Sequence, residues 1–330
     1  MRKTGFLALL LLTAMTAVSA SSFRAPRAGG SLLEYLPDGA GVAVIDFQKI
    51  AGSPLWSVIN SQDKIKNEID KAQSEMSDLG VKLTDVHTVA LVFPATKVGD
   101  PVVALNGGFD QSDVLSRLRT NEKFILTSEQ YKGFDVYKVR SRSETSRTQQ
   151  GTTTKSRSND EGYFVFYDSS TVVLGSRSTV QSSIDVKTGA APSVTQNAKL
   201  SDALAQNPGA AVRFALTITP AVSSGLSASE LPLDFSTISM IFGTVDVGTS
   251  LDLNATLRND NSEHAKALAE RLNGLLSMVN AFLITKDPKV ESIAEALKSV
   301  SITNVDTDVK ITGSLPMNLL SSLLSNATKK

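Results

Sequence analysis

Few residues of this chain combine the types and spacing that catalysis or metal binding requires. Its two histidines, His87 and His264, are not paired four residues apart as helix-borne zinc ligands are. No G-x-S-x-G turn is present to expose a nucleophilic serine. Asp306 and Asp308 would project to one face of a strand, where solvent-facing alternation explains them better than a catalytic carboxylate pair. The sequence therefore predicts no catalytic residue, no metal site and no cofactor.

The overall composition excludes further classes of function. The chain has no cysteine, which excludes disulfides, thiolate metal sites and thiol nucleophiles. The 33 basic and 33 acidic residues balance, so no global field attracts nucleic acid or anionic lipid. The segment VRSRSETSRTQQGTTTKSRSND is basic but lacks aromatic residues for base stacking. We predict a disordered, hydrated loop over residues 140–161 and no nucleic-acid partner.

Residues 1–20 have the three-part layout of a secretory signal peptide. Arg2 and Lys3 precede an apolar run, and Val18-Ser19-Ala20 supplies small residues for cleavage. The run is shorter than the about 20 apolar residues that span a bilayer, and no later stretch is long and apolar enough. We therefore expect export and cleavage near Ala20, with a flexible mature N-terminus over residues 21–30. The mature protein should be soluble, without a transmembrane segment, and periplasmic or extracellular.

An internal repeat organises the rest of the chain. The matching segments are DVHTVALVF (85–93) with DFSTISMIF (234–242), and VGDPVVAL (98–105) with VGTSLDLN (247–254). In both copies an acidic helix-start signal follows, at Asp110 and at Asp260, where a carboxylate can accept hydrogen bonds from free N–H groups. The sequence therefore predicts two copies of a strand, strand, capped-helix unit.

The order of elements in each copy indicates the fold class. With an upstream strand and a crossover added before this unit and a later strand added after it, each copy has the order β-α-β-β-α-β, which is typical of the ferredoxin-like arrangement. We predict an α+β fold of two divergent ferredoxin-like repeats, over residues 31–198 and 199–330. The first repeat contains an inserted three-stranded meander over residues 133–176. The alternative is one mixed antiparallel sheet shared by both copies, with helices on one face.

A long amphipathic helix over residues 54–79 is the candidate binding element. Ser53-Pro54 marks its start and Gly80 its end. Its candidate partner or ligand surface consists of Leu55, Trp56, Ile59, Ile65, Ile69 and Met76. If the sheet covers this apolar stripe, contacts with another protein are favoured. If a gap opens beneath the stripe, a lipid or another apolar ligand is favoured.

Two stretches resemble exported bacterial proteins of unknown function. They are YLPDGAGVAVIDFQKIAGSPLW near the mature N-terminus and YKGFDVYKV followed by YFVFYDSSTVVLGS. The resemblance implies export and a similar fold, and it implies no activity, cofactor or catalytic residue.

Together these observations favour a non-catalytic binding or scaffold module of the bacterial envelope, with an envelope protein as partner. A carrier of a small apolar ligand or lipid, held between helices and sheet, is one alternative. A hydrolase acting on envelope polymers is the other, and it would need a cleft that gathers several carboxylates with shifted pKa values.

Overall fold

The computed structural model describes residues 31–327 apart from 96–98, 142–143, 150–151, 158–160, 221, 224–234 and 283–287. The predicted signal peptide (1–20) and the predicted flexible N-terminus (21–30) lie outside the described residues. Helices and strands are mixed along the chain and build one large antiparallel sheet. The predicted α+β class is therefore confirmed.

The strands pair in two sheets of very different size. They are β1 (Gly41–Asp46), β2 (Val86–Phe93), β3 (Val102–Gly107), β4 (Phe124–Tyr131), β5 (Phe134–Ser141), β6 (Glu144–Gln149), β7 (Thr152–Arg157), β8 (Glu161–Phe166), β9 (Thr171–Gly175), β10 (Val212–Thr217), β11 (Ile238–Val247), β12 (Ser250–Asn259), β13 (Ser301–Val305) and β14 (Asp308–Pro316). The large sheet has 12 strands in the order β13-β14-β12-β11-β10-β1-β2-β3-β9-β8-β5-β4. Strands β6 and β7 form a separate two-stranded sheet.

The helices follow the strands closely along the chain. They are α1 (Phe47–Ala51), α2 (Pro54–Asn60), α3 (Asp63–Asp78), α4 (Gln111–Thr120), α5 (Arg177–Lys187), α6 (Ala198–Leu204), α7 (Ser262–Phe282), α8 (Pro288–Lys298) and α9 (Met317–Ala327). A 3-10 helix over Leu32–Tyr35 precedes β1. The cap that the sequence predicts at Asp110 is present: Asp110 accepts hydrogen bonds from the backbone N–H groups of Ser112 and Asp113, at 2.9 and 3.0 Å. At the start of α7 the neighbouring Asn261 takes the place of the predicted Asp260, since the Asn261 Oδ1 accepts from the His264 N–H at 2.9 Å.

The sheet buries apolar side chains on both faces, because its central strands carry apolar residues at the positions that point to either face. In β1, Val42 and Val44 belong to one core cluster, while Ala43 and Ile45 pack against another. The first cluster takes in the 3-10 helix, α5 and α6, and the second takes in α1, α2 and α4. The prediction of helices on one face alone is therefore wrong, since successive strand residues point to opposite sides.

The two halves of the large sheet repeat the same strand order about its centre. Outward from the centre, one half has β1, β2, β3, β9 and β8, and the other has β10, β11, β12, β14 and β13. The central strands β1 and β10 pair antiparallel with Ala43 opposite Phe214. Each of these is the third residue of its six-residue strand, so the two halves meet across an approximate two-fold axis.

The ferredoxin-like form of the repeats is not confirmed. In the ferredoxin-like arrangement the first and second strands of a unit are not neighbours, because the third strand lies between them in the split β-α-β crossover. The first strand of each half pairs directly with the second, as β1 does with β2. The alternative of one antiparallel sheet shared by both copies describes the structure, because β1 and β10 join the halves.

Two segments near the sheet edges differ from their predictions. The predicted disordered loop over residues 140–161 contains the β6–β7 hairpin in its described backbone, while its neighbours β5, β8 and β9 form the predicted meander. The predicted single strand around Asp306 is instead a hairpin of β13 and β14. Asp306 lies in its turn with φ of 52°, and Asp308 pairs with Arg258, at 2.8 and 2.9 Å. These carboxylates therefore do not act as a pair.

Candidate binding surfaces

The predicted helix over residues 54–79 is broken into α2 and α3. At the break, Gln62 has extended backbone angles, with φ of −101° and ψ of 107°. The Ser61 hydroxyl donates to the Val58 carbonyl at 2.7 Å, which supplies a side-chain partner for one carbonyl in the last turn of α2. Such local side-chain hydrogen bonds stabilise a helix end and compete with its continuation. The stripe therefore changes direction between Ile59 and Ile65.

The six predicted surface residues lie mainly in the interior. Trp56 is 7% exposed and Ile69 is 1% exposed, and the other four, Leu55, Ile59, Ile65 and Met76, are half-buried. Leu55 and Met76 pack against the same core cluster that contains Trp56. The stripe is thus used mainly to hold α2 and α3 onto the protein.

Two contacts explain why α2 is covered. The Trp56 ring meets the Phe47 ring of α1 edge to face, with centroids 6.1 Å apart and planes at 77°. Helix α2 also contacts α9, at the far end of the chain. This second contact is between elements more than 250 residues apart in sequence numbering, and periodicity along the chain carries no signal for it.

Exposed apolar side chains occur instead on α7 and α8. Met278 is 50% exposed and Val279 is 41% exposed on α7, and Ile293 is 42% exposed on α8. The N-terminal half of α7 is packed through Ala265 and Leu268, while Met278 and Val279 lie in its C-terminal half. Sequence reasoning missed this surface, although the run GLLSMVNAF (274–282) is a visible signal of it.

A cluster of aromatic rings lies against α5 on the opposite side of the sheet from α2. The Tyr35 and Tyr167 rings are 5.0 Å apart, and the Lys187 ammonium lies 4.5 Å from the centroid of the Tyr35 ring. The Tyr167 hydroxyl is 2.8 Å from the Ser183 hydroxyl. Burial raises the pKa of Tyr167, because the charged phenolate loses hydration there. The ring is therefore neutral and unsuited to act as a base.

The tip of the β4–β5 hairpin contacts α5 through a hydrogen bond and an ion pair. The Tyr131 hydroxyl donates to Asp185 at 3.0 Å, and the Lys132 ammonium lies 2.7 Å from the same carboxylate. The hydrogen bond with Asp185 raises the pKa of Lys132. Lys132 has φ of 48° and Gly133 has φ of 85°, which gives the two positive φ values of a tight hairpin turn. This cluster therefore positions an inserted hairpin.

A cleft of about 370 Å³ lies beside this cluster, between the 3-10 helix and the segment after α5. Its lining residues are Glu34, Val186, Gly189, Ala190, Ala191, Pro192, Ser193 and Gln196. Glu34 is the one ionisable residue among them, so the cleft has no second group to act as its acid or base partner. The mixed polar lining also differs from the apolar cavity that a lipid carrier would need.

The histidines do not gather ligands. His264 lies in the first turn of α7, where its Nδ1 is 2.6 Å from Asp260 Oδ1, and this hydrogen bond lowers the pKa of Asp260. His87 lies on β2. Across the described residues, no group of three or more His, Cys, Asp or Glu side chains could hold a metal ion. None of the helices in that part of the chain is long and apolar enough to cross a membrane.

No protein-family model matches the sequence, and no curated protein matches it either. Two solved structures of TP0453 are similar over most of the chain. Crystal form I has a TM-score of 0.47 and 11% identity, over 91% of this chain and 98% of that one. Crystal form IV has a TM-score of 0.47 and 10% identity, over 89% and 96%. Similarity at this level carries no argument about function.

Proposed function

We propose that this protein is a non-catalytic binding or scaffold module of the bacterial envelope, with an envelope protein as its partner. Residues 1–20 direct its export in this proposal, and the mature chain starts after cleavage near Ala20 in the periplasm or outside the cell. The basis for export is the order of charged, apolar and small residues at the N-terminus.

The exposed apolar side chains of α7 and α8 carry the binding part of the proposal. Met278, Val279 and Ile293 are each more than 40% exposed on two helices that contact each other. Exposed apolar surface on a folded domain is often a site of protein association, because its contact with water is unfavourable. Burial of Trp56 and Ile69 favours this use over a ligand pocket beneath α2 and α3.

We also propose that the halves are divergent copies of one duplicated unit. The repeated sequence segments and the matching strand orders both support this origin. In the finer form of this proposal the ancestral unit had the order β-α-β-β-α-β, and each copy later came to pair its first strand directly with its second. A hydrolase has less support, since the cleft beside α5 has Glu34 as its one ionisable lining residue.

The test is native mass spectrometry of the protein purified gently from its own envelope. The variant replaces Met278, Val279 and Ile293 with serine. The matched control also introduces serine, at Ile125 and Leu253, which are each 38% exposed on strands. A protein partner that is retained by the wild type and the control, and lost from the triple variant, is the expected result.

Other outcomes decide against parts of the proposal. A retained small apolar mass in place of a protein would replace the partner with a carried ligand. A bare mass for the wild type would contradict a binding role in either form. The same spectra test export, because a mature mass that still includes residues 1–20 would contradict cleavage near Ala20.

A further inference from the structure

Strand β13 is an end strand of the large sheet, and its counterpart in the other half is not. The counterpart, β8, pairs with β9 on its inner side and with β5 on its outer side. Strand β13 pairs with β14 on its inner side, and no described strand lies beyond it. The repeat thus shows that this position in the unit supports a further antiparallel strand.

The side chains of β13 do not guard its edge. Its sequence, Ser301–Val305, has no charged residue and no proline, and Val305 is 51% exposed. Natural proteins commonly protect end strands with charges, prolines or bulges, which prevent pairing with other chains. The opposite end strand, β4, has Glu129, which forms two hydrogen bonds with Arg177 at 2.8 and 2.7 Å.

The hairpin geometry identifies which backbone groups of β13 face outward. Val305 lies opposite Asp308 across a two-residue turn, and such a flanking pair exchanges its hydrogen bonds internally. Alternation then directs the N–H and C=O groups of Ile302 and Asn304 away from β14. The Asn273 side chain donates to the Ile302 carbonyl at 3.2 Å, which agrees with this direction. A carbonyl oxygen can accept a second hydrogen bond.

We propose that β13 pairs antiparallel with β13 of a second copy of this chain, with Thr303 opposite Thr303 of that copy. This register pairs Ile302 with Asn304 in both directions and forms four backbone hydrogen bonds. The chain already continues its sheet across a two-fold axis in this way, where β1 meets β10 with Ala43 opposite Phe214. An uncharged strand suits self-pairing, because like charges directly opposite each other are destabilising.

The proposed contact is a small one and gives a weak dimer. A five-residue strand buries less surface than stable dimers do, so we expect a Kd between about 1 μM and 1 mM. Helix α7 packs against β13, but this proposal does not require a partner at the exposed side chains of α7 and α8, since it involves the backbone edge of β13 and a copy of the same chain.

A single-cysteine variant tests the register directly, because the chain has no cysteine of its own. Thr303→Cys should form a disulfide-linked dimer under mild oxidation, since opposed residues of a non-hydrogen-bonded pair have Cβ atoms within disulfide reach. Val305→Cys is the matched control. It lies opposite Ser301 of the second copy in this register, so its crosslinking should be at least tenfold slower.

A proline variant tests whether backbone pairing holds the dimer. Asn304→Pro removes an outward N–H without removing a hydrogen bond to β14, so the dimer should be lost in sedimentation equilibrium while the circular dichroism spectrum is unchanged. Wild-type protein that stays monomeric to about 1 mM would overturn the proposal. A dimer that survives Asn304→Pro in a folded protein, or equal crosslinking of both cysteine variants, would also overturn it.

Discussion

Replacing Ile69 with alanine tests whether the predicted binding stripe is interior. Ile69 is the most deeply buried of the six predicted surface residues, at 1% exposed. Truncating a buried isoleucine to alanine loses the transfer free energy of the removed carbons and leaves a cavity, at a cost of about 2–5 kcal/mol. Because domains are stable by only about 5–15 kcal/mol, we expect Ile69→Ala to lower the free energy of unfolding by a large fraction.

Urea denaturation can be followed with one internal probe. Trp56 is the single tryptophan of the chain, and it is buried against Phe47, so its fluorescence changes when α2 leaves the core. Far-ultraviolet circular dichroism should give the same midpoint if unfolding is two-state. The dependence of the unfolding free energy on urea concentration should be unchanged, since the substitution leaves the total surface exposed on unfolding nearly the same.

The control makes the same chemical change at an exposed site. Ile293 is 42% exposed on α8, and Ile293→Ala should change the free energy of unfolding by no more than about 0.5 kcal/mol. If Ile69→Ala cost as little as this control, α3 would not bury its stripe. The interior assignment would then be wrong, and the stripe would again be a candidate surface for an apolar ligand.

Three further outcomes are expected. Tyr167→Phe removes the hydrogen bond with Ser183 and should cost about 1 kcal/mol; in a spectrophotometric titration it should also remove a tyrosine that ionises above pH 10.0. The hydrogen bond from Lys138 lowers the pKa of Glu161 below its ordinary 4.5. The resulting stabilisation is fully present above pH 4.5 and is lost as pH falls through the lower folded-state pKa, so Glu161→Gln should flatten this part of a stability–pH curve. Deleting residues 142–158 should leave the unfolding midpoint nearly unchanged, because β6 and β7 pair with each other in a separate sheet; a collapse of thermal stability would contradict this.

Local pattern was sufficient for many elements of the fold. The helix-start signals at Asp110 and Asp260 lie just before α4 and α7, because capping depends on residues three positions apart, although the neighbouring Asn261 is the residue that caps α7. The meander over residues 133–176 was also predicted from adjacent residues and is present as β5, β8 and β9. In contrast, the break of the long helix at Gln62 was missed, since the apolar spacing continues through it.

Local pattern was also insufficient to predict how the apolar stripe of α2 and α3 is used. Periodicity identified the apolar stripe that contains Trp56 and Ile69, and both residues are indeed on inward faces. Whether an inward face meets the protein itself or a ligand depends on a distant partner, here α9, which contacts α2. Met278 and Ile293 are as apolar as the buried residues, and their exposure depends on how α7 and α8 pack against the sheet.

The sequence by itself determined the α+β class, the repeat and the absence of thiol chemistry, because these depend on residue types and on spacing within short segments. Tertiary structure decided how the copies join. The pairing of Ala43 with Phe214 turns two repeats into one sheet, and strand pairing between residues so far apart depends on packing that no local pattern encodes. In the same sheet β13 is an end strand, while its counterpart β8 is covered by β5.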